Sequence, residues 1–138
     1  IQADVLDNGD IALVFNNSSA KDAKERRLAL YDEIEDESKE QKKEAELVEG
    51  QRNAFWGAPR APMSLAISSD NGATWSYIRN LDEGDGYCMS NNSREQLNRE
   101  LSYPSIKQGL DGKLHIAYTF YRMAIKYVCV DKSWVKNA

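Results

Sequence analysis

One histidine, His115, and two cysteines, Cys88 and Cys129, are all this chain offers for imidazole or thiol chemistry. There is no second histidine to form a metal pair, and the cysteines match no zinc spacing. No Ser/His/Asp or Cys/His arrangement can be drawn. His115 falls on the strand face opposite Leu114, Ile116 and Tyr118, the place of a wall or surface residue. No metal and no cofactor are expected. Cys129 lies in the apolar run Tyr127-Val128-Cys129-Val130, where a free buried thiol is the default and a disulfide to Cys88 the alternative. Asn16 and Asn17 end a strand, where their amides either bind a sugar or cap a turn. With Asn91 they also fit N-glycosylation sequons.

The elements that must position these residues are strands. Met63, Leu65 and Ile67 alternate with Ser64, Ala66 and Ser68, the period of a half-buried strand. Ser68, Asp70, Gly72, Thr74 and Trp75 follow in the pattern S-x-D-x-G-x-T-W. Asp70-Asn71-Gly72 supplies a turn, because Asx side chains bond nearby backbone N–H groups and Gly72 accepts positive φ. Trp75 opens the returning strand with a large ring to bury. The segment resembles the Asp-box of sialidase-like β-propellers, in which the aspartate is a structural staple. Asp70 is therefore read as a turn residue and not as a catalytic acid.

A repeat runs along the chain. Leu6-Asp7-Asn8-Gly9-Asp10-Ile11 is matched by Leu110-Asp111-Gly112-Lys113-Leu114, each a hairpin turn leading into an alternating strand. Candidate strands precede the turns at residues 2–6 and 103–108 and follow at 63–68 and 124–130. A fourth strand begins near Trp75, and Val130-Asp131-Lys132-Ser133-Trp134 reads as a contracted second Asp-box. The expectation is an all-β chain: about two four-stranded antiparallel blades of a β-propeller. Residues 1–80 form the first blade, 81–101 the connection, and 102–138 a second, nearly complete blade. Propellers typically close with ~4–8 blades, so the remaining blades are expected from the same or another chain.

Residues 20–50 interrupt the first blade. Lys21 to Glu49 holds seven basic and eleven acidic residues, enough to account for the whole net charge of −4. With no Gly or Pro, it reads as a charged helix or a disordered excursion, and alternatively as a docking element for a protein partner. The rest of the chain is near neutral, which argues against nucleic-acid binding. No apolar run is long enough to span a membrane.

Phe15-Asn16-Asn17-Ser18, Arg60-Ala61-Pro62-Met63-Ser64-Leu65-Ala66 with its Asp-box, and Ser102-Tyr103-Pro104-Ser105-Ile106 through Lys126 together resemble a BNR-repeat, sialidase-like propeller family. About a third of a six-bladed ring is covered. The resemblance implies a glycoside hydrolase acting on terminal sialic acid or a related acidic sugar. In such enzymes an arginine cluster holds the sugar carboxylate, a tyrosine backed by a glutamate is the nucleophile, and an aspartate is the acid/base. Tyr103 opens an inner strand before a D-G turn and matches that tyrosine, although Pro104 replaces a small residue. Glu100 is near in sequence, but the family's glutamate usually comes from an earlier blade. Arg60 and Arg122, with Lys126 beside them, are the candidate anion contacts, and Asn17, Tyr87 and Asn92 the candidate sugar contacts. Two other readings stand beside it: a non-catalytic propeller that binds carbohydrate or protein, and a polysaccharide lyase on acidic glycans.

Overall fold

The computed structural model describes residues 1–22, 58–87 and 97–137. Most of the acidic insert, together with Trp56, Cys88, Asn91, Asn92 and Arg94, lies outside them, as do the expectations attached to those residues. The described chain is all-β apart from a short 3-10 turn at Ala20–Asp22 and one five-residue helix. β1 (Gln2–Val5), β2 (Ile11–Asn16), β3 (Met63–Ser68) and β4 (Tyr77–Asp82) form an antiparallel sheet in the order 1-2-3-4. β5 (Leu101–Gln108), β6 (Leu114–Phe120) and β7 (Ala124–Val130) form a second, in the order 5-6-7. These are two consecutive propeller blades, the first with four strands and the second with three.

Alternation decides which faces meet. Ala12 and Val14 on β2 share a face with Met63, Leu65 and Ile67 on β3. On β6, Leu114, Ile116 and Tyr118 point the other way along the repeat and meet them. These residues, with Leu6, Ala61, Leu101, Ile106 and Val135, make one continuous core between the sheets. Ile11, Leu13 and Phe15, the bulkier half of β2, lie on the opposite face and are only half-buried. Polar groups stitch the inner strands across the same seam. Gln2 Oε1 accepts from the Ile106 N–H at 3.1 Å, and Asp4 accepts from Lys107 Nζ and the Gln108 N–H, both at 2.8 Å.

The Asp-box folds as expected from its residues. Asp70 accepts from the Thr74 hydroxyl at 2.6 Å, the Thr74 N–H at 2.8 Å and the Ser68 hydroxyl at 2.7 Å. Ser68 Oγ in turn accepts from the Gly72 N–H at 2.9 Å, with Gly72 at φ 85°. The contracted copy does not form a hairpin. Residues 132–136 instead make helix α1 (Lys132–Lys136). The register explains why: Val130 and Lys132 stand where Ser68 and Asp70 stand in the first blade, and no glycine is available for the positive-φ step. The helix folds back on β3 and β4, buries Val135, and stacks Trp134 beneath Arg79 at 4.2 Å. Lys132 and Lys136 reach Asp7 and Asp10 of the first blade at 2.6 and 3.0 Å.

The Thr74 hydroxyl, then the Thr74 N–H and the Ser68 hydroxyl, hold the Asp70 carboxyl down at about 2, against an ordinary 3.8. A depressed carboxylate stabilises the fold above its unfolded pKa, and that contribution disappears as pH falls through the folded value. The stability gap between the wild type and Asp70→Asn, measured by urea denaturation, should be open at neutral pH. It should close between about pH 4 and pH 2.

Candidate functional site

Three features converge at one end of the blades: the start of β5, the β6–β7 hairpin, and the strand entry at Arg60. β5 carries a bulge in which Ser102 pairs with Thr119 but the next pair is Ser105 with Ala117, so Tyr103 and Pro104 together oppose the single residue Tyr118. Tyr103 takes φ 51° there, a conformation that is uncommon for an aromatic residue and further disfavoured before proline. Such a conformation costs on the order of 1–3 kcal/mol and persists only where the surroundings enforce it. The bulge turns the Tyr103 side chain out to solvent, 70% exposed. The hairpin opposite is also strained: Tyr121 and Arg122 sit at φ 53° and 52°, and the Met123 N–H closes the turn on the Phe120 carbonyl at 3.0 Å. Both central φ values being positive is the mark of a type I′ turn, normally built from Asn and Gly.

Glu100 is what these strained segments enclose. Its side chain is buried, and Oε1 accepts from Arg122 Nε at 2.6 Å while Oε2 lies 3.8 Å from Arg60 Nε. The Ser102 hydroxyl donates to the same carboxylate at 3.3 Å, and the Glu100 carbonyl accepts from the Tyr121 N–H at 3.0 Å. A buried carboxylate must be compensated by cations and donors, and this one has both. Among the described residues no buried side-chain nitrogen or oxygen lacks a partner. The Arg60 guanidinium also lies 5.9 Å from the centre of the Tyr103 ring, at cation–π range. The two arginines, equivalent in the sequence, differ here. Arg122 is tightly paired with Glu100, whereas Arg60 is held loosely and spans the distance to Tyr103.

The backbone at Arg60 is fixed from two sides. The Leu101 N–H donates to the Arg60 carbonyl at 2.8 Å, and the Arg60 N–H donates to Gly86 at 3.4 Å. Gly86 has φ 65°, and a Cβ there would lie 2.4 Å from the Arg60 nitrogen, so the loop can approach only as glycine. A second polar cluster lies at the end of β4. Asp82 accepts from Lys126 Nζ at 2.6 and 2.7 Å and from the Tyr118 hydroxyl at 2.5 Å. Burial first, and the Asp82 carboxylate second, push the Tyr118 phenol far above its ordinary value, so it remains a neutral donor.

A model of the BNR repeat-like domain matches residues 1–116. The chain belongs to this family. No curated protein and no solved structure matches it. As a BNR repeat-like chain it brings together Tyr103, Arg60 and Arg122 of the residues singled out by sequence, and ties Lys126 to Asp82. It does not bring Asn17 or Tyr87 to the same cluster. Asn17 is exposed, with its N–H on the Pro62 carbonyl at 3.2 Å. Neighbouring Asn16 instead braces the site, donating from Nδ2 to the Leu101 carbonyl at 3.0 Å. Tyr87 packs under Arg99 at 4.8 Å, and Arg99 is paired with Asp85 at 2.6 Å. Glu100 and Asp82 carry little sequence signal of their own, since the arginines, lysine and tyrosine that they pair with are 22 or more positions away in the chain. Cys129 is free but exposed, not buried, because it lies on the face of β7 turned away from the first blade.

Replacing Glu100 with Ala should destabilise the fold by about 1–3 kcal/mol in chemical denaturation. That is below the ~3–5 kcal/mol expected for a fully buried pair, because Arg122 and Arg60 remain 32% and 46% exposed and keep part of their hydration. Tyr103→Phe, which alters an exposed hydroxyl, should stay within about 0.5 kcal/mol of wild type.

Proposed function

We propose that this chain contributes part of the active site of a sialidase-like glycoside hydrolase acting on terminal sialic acid or a related acidic sugar. The observation that carries the reading is the strained, outward Tyr103 on its bulge, 5.9 Å from a guanidinium and beside the buried Glu100. Strain of this kind is concentrated at functional sites. A sialoside carries a carboxylate on its anomeric carbon, so an anionic nucleophile there would meet a like charge. A neutral phenol that gives its proton to a neighbouring carboxylate only as it attacks avoids that repulsion. In this reading Tyr103 is the nucleophile and Arg60 takes the sugar carboxylate on its fork. Arg122, locked to Glu100, fixes the local charge and forms the second anion contact. The acid/base aspartate and further arginines would come from other blades.

A second reading, a non-catalytic propeller that binds an acidic glycan or a protein, is favoured by one observation. Glu100 already offsets part of the positive charge that a substrate carboxylate would use. The protein carrying this chain should hydrolyse a fluorogenic sialoside, and Tyr103→Phe should lower kcat by at least about 100-fold with little change in stability. Arg60→Ala should act mainly through KM. Unchanged turnover in Tyr103→Phe would remove Tyr103 as nucleophile. Binding of an acidic glycan without turnover by the wild type would establish the second reading.

A further inference from the structure

The turns of the two blades match hydrogen bond for hydrogen bond, and the match exposes a change of residue type on one face. In the first hairpin the Gly9 N–H donates to Leu6 and the Leu6 N–H to Asp10; in the second the Gly112 N–H donates to Gly109 and the Gly109 N–H to Lys113. Leu6 therefore corresponds to Gly109, Asn8 to Asp111 and Ala12 to His115. Through the strand registers, Ala12 with Ile67 corresponds to His115 with Cys129, and Val14 with Leu65 to Ala117 with Tyr127. Leu6, Ala12, Ile67 and Leu65 build the dry seam of the first blade. The same four positions in the second blade are Gly109, His115, Cys129 and Tyr127.

These residues form a compact set on the face of the second sheet turned away from the first. His115 Nε2 lies 3.1 Å from Asp111 Oδ1, and ligand atoms of Asp111, His115 and Cys129 all lie within 4.8 Å of one another. Gly109 makes room for the ring, since a Cβ there would sit 2.5 Å from His115 Nε2. On its other side the ring stacks on Tyr127 at 6.1 Å, with Nδ1 2.6 Å from the Tyr127 hydroxyl. That contact matters for the tautomer. The Tyr127 hydroxyl can either donate to Nδ1 or accept from it. With the Tyr127 hydroxyl donating to Nδ1, Nε2–H donates to Asp111; a metal ion on Nε2 would move the single ring proton to Nδ1, which would then donate to the Tyr127 oxygen.

We propose that Asp111, His115 and Cys129 form a site for a borderline divalent cation of the zinc type. Carboxylate oxygen, imidazole Nε2 and thiolate sulfur are a ligand set suited to such an ion, with water completing four-coordination. Bond lengths of about 2.0–2.3 Å put tetrahedral ligand atoms roughly 3.3–3.7 Å apart. The His115–Asp111 pair is already close to that spacing, and the widest separation needs to shrink by about 1 Å. Tyr127 supports the site through Nδ1, as second partners of metal-bound histidines commonly do. The sequence hid the trio because Cys129 reaches His115 only through the β6–β7 register.

Titration of the reduced protein with Co²⁺ tests this directly. One equivalent should bind and produce thiolate-to-cobalt charge-transfer absorption, and Zn²⁺ should displace it. Cys129→Ser should abolish the absorption, His115→Ala should weaken binding by at least about 100-fold, and Tyr127→Phe by about 10–100-fold. Cys88→Ser should leave all of this unchanged. Absence of the charge-transfer absorption in the wild type would overturn the proposal. So would a signal that survives Cys129→Ser or that vanishes in Cys88→Ser. Far-UV circular dichroism of each variant would establish that it is folded, so that a lost signal reports a lost ligand.

Discussion

Burial of one apolar face of each sheet against the other is the constraint on which the remaining features depend. Among the described residues neither sheet has a second layer of its own, so Leu65, Ile67 and Val14 leave water by meeting Leu114, Ile116 and Tyr118. Burying a side chain of this size is worth about 1.5–3 kcal/mol, and no polar contact in the molecule matches the sum. Once the faces meet, β5 must lie beside β1 and β2. That placement carries Glu100 and Tyr103 to the entry of β3, where Arg60 stands. The site is thus a consequence of the seam rather than of any local motif.

Where the apolar face ends, charge takes over, and the transition has a physical order. Asp4, Asp7 and Asp10 use partly exposed lysines to join the blades, contacts that are individually weak in water. Glu100 is different because its side chain is almost wholly buried. Desolvation of a carboxylate is tolerated only with compensating donors, so the strained hairpin that presents Arg122 and the bulge that follows Ser102 are parts of one arrangement. The backbone strain at Tyr103, Tyr121 and Arg122 is local, whereas the packing that offsets it is spread over the whole seam.

What was legible in the sequence was whatever depends on near neighbours. The Asp-box could be read because Ser68, Asp70, Gly72 and Thr74 satisfy one another within a few residues, while β3 could be placed from its period-two alternation and β7 from its position in the repeat. The second Asp-box failed because its tryptophan was counted and its missing glycine was not; Trp134 instead anchors a helix on Arg79. Tyr103 was legible as a position but not as a strained bulge, since the opposition of Tyr103 and Pro104 to Tyr118 alone shows only against the partner strand. Cys129 was misread as buried because an apolar strand does not state which of its faces has a neighbour.

The clearest gain over the sequence is the asymmetry between the two arginines. As letters, Arg60 and Arg122 are the same fork. In the structure, Arg122 meets Glu100 at 2.6 Å from a hairpin whose φ values leave it little freedom, while Arg60 stands 3.8 Å from the same carboxylate. Coulombic attraction falls with distance, and at 46% exposure the longer contact is further screened by water. An incoming anion would therefore displace little on drawing Arg60 away, and much on drawing Arg122 away. Arg60 also has its backbone pinned by Leu101 and Gly86, so its side chain can swing without moving the strand. One guanidinium thus keeps a buried carboxylate in place, while the other is held loosely enough to serve the anion contact proposed for it.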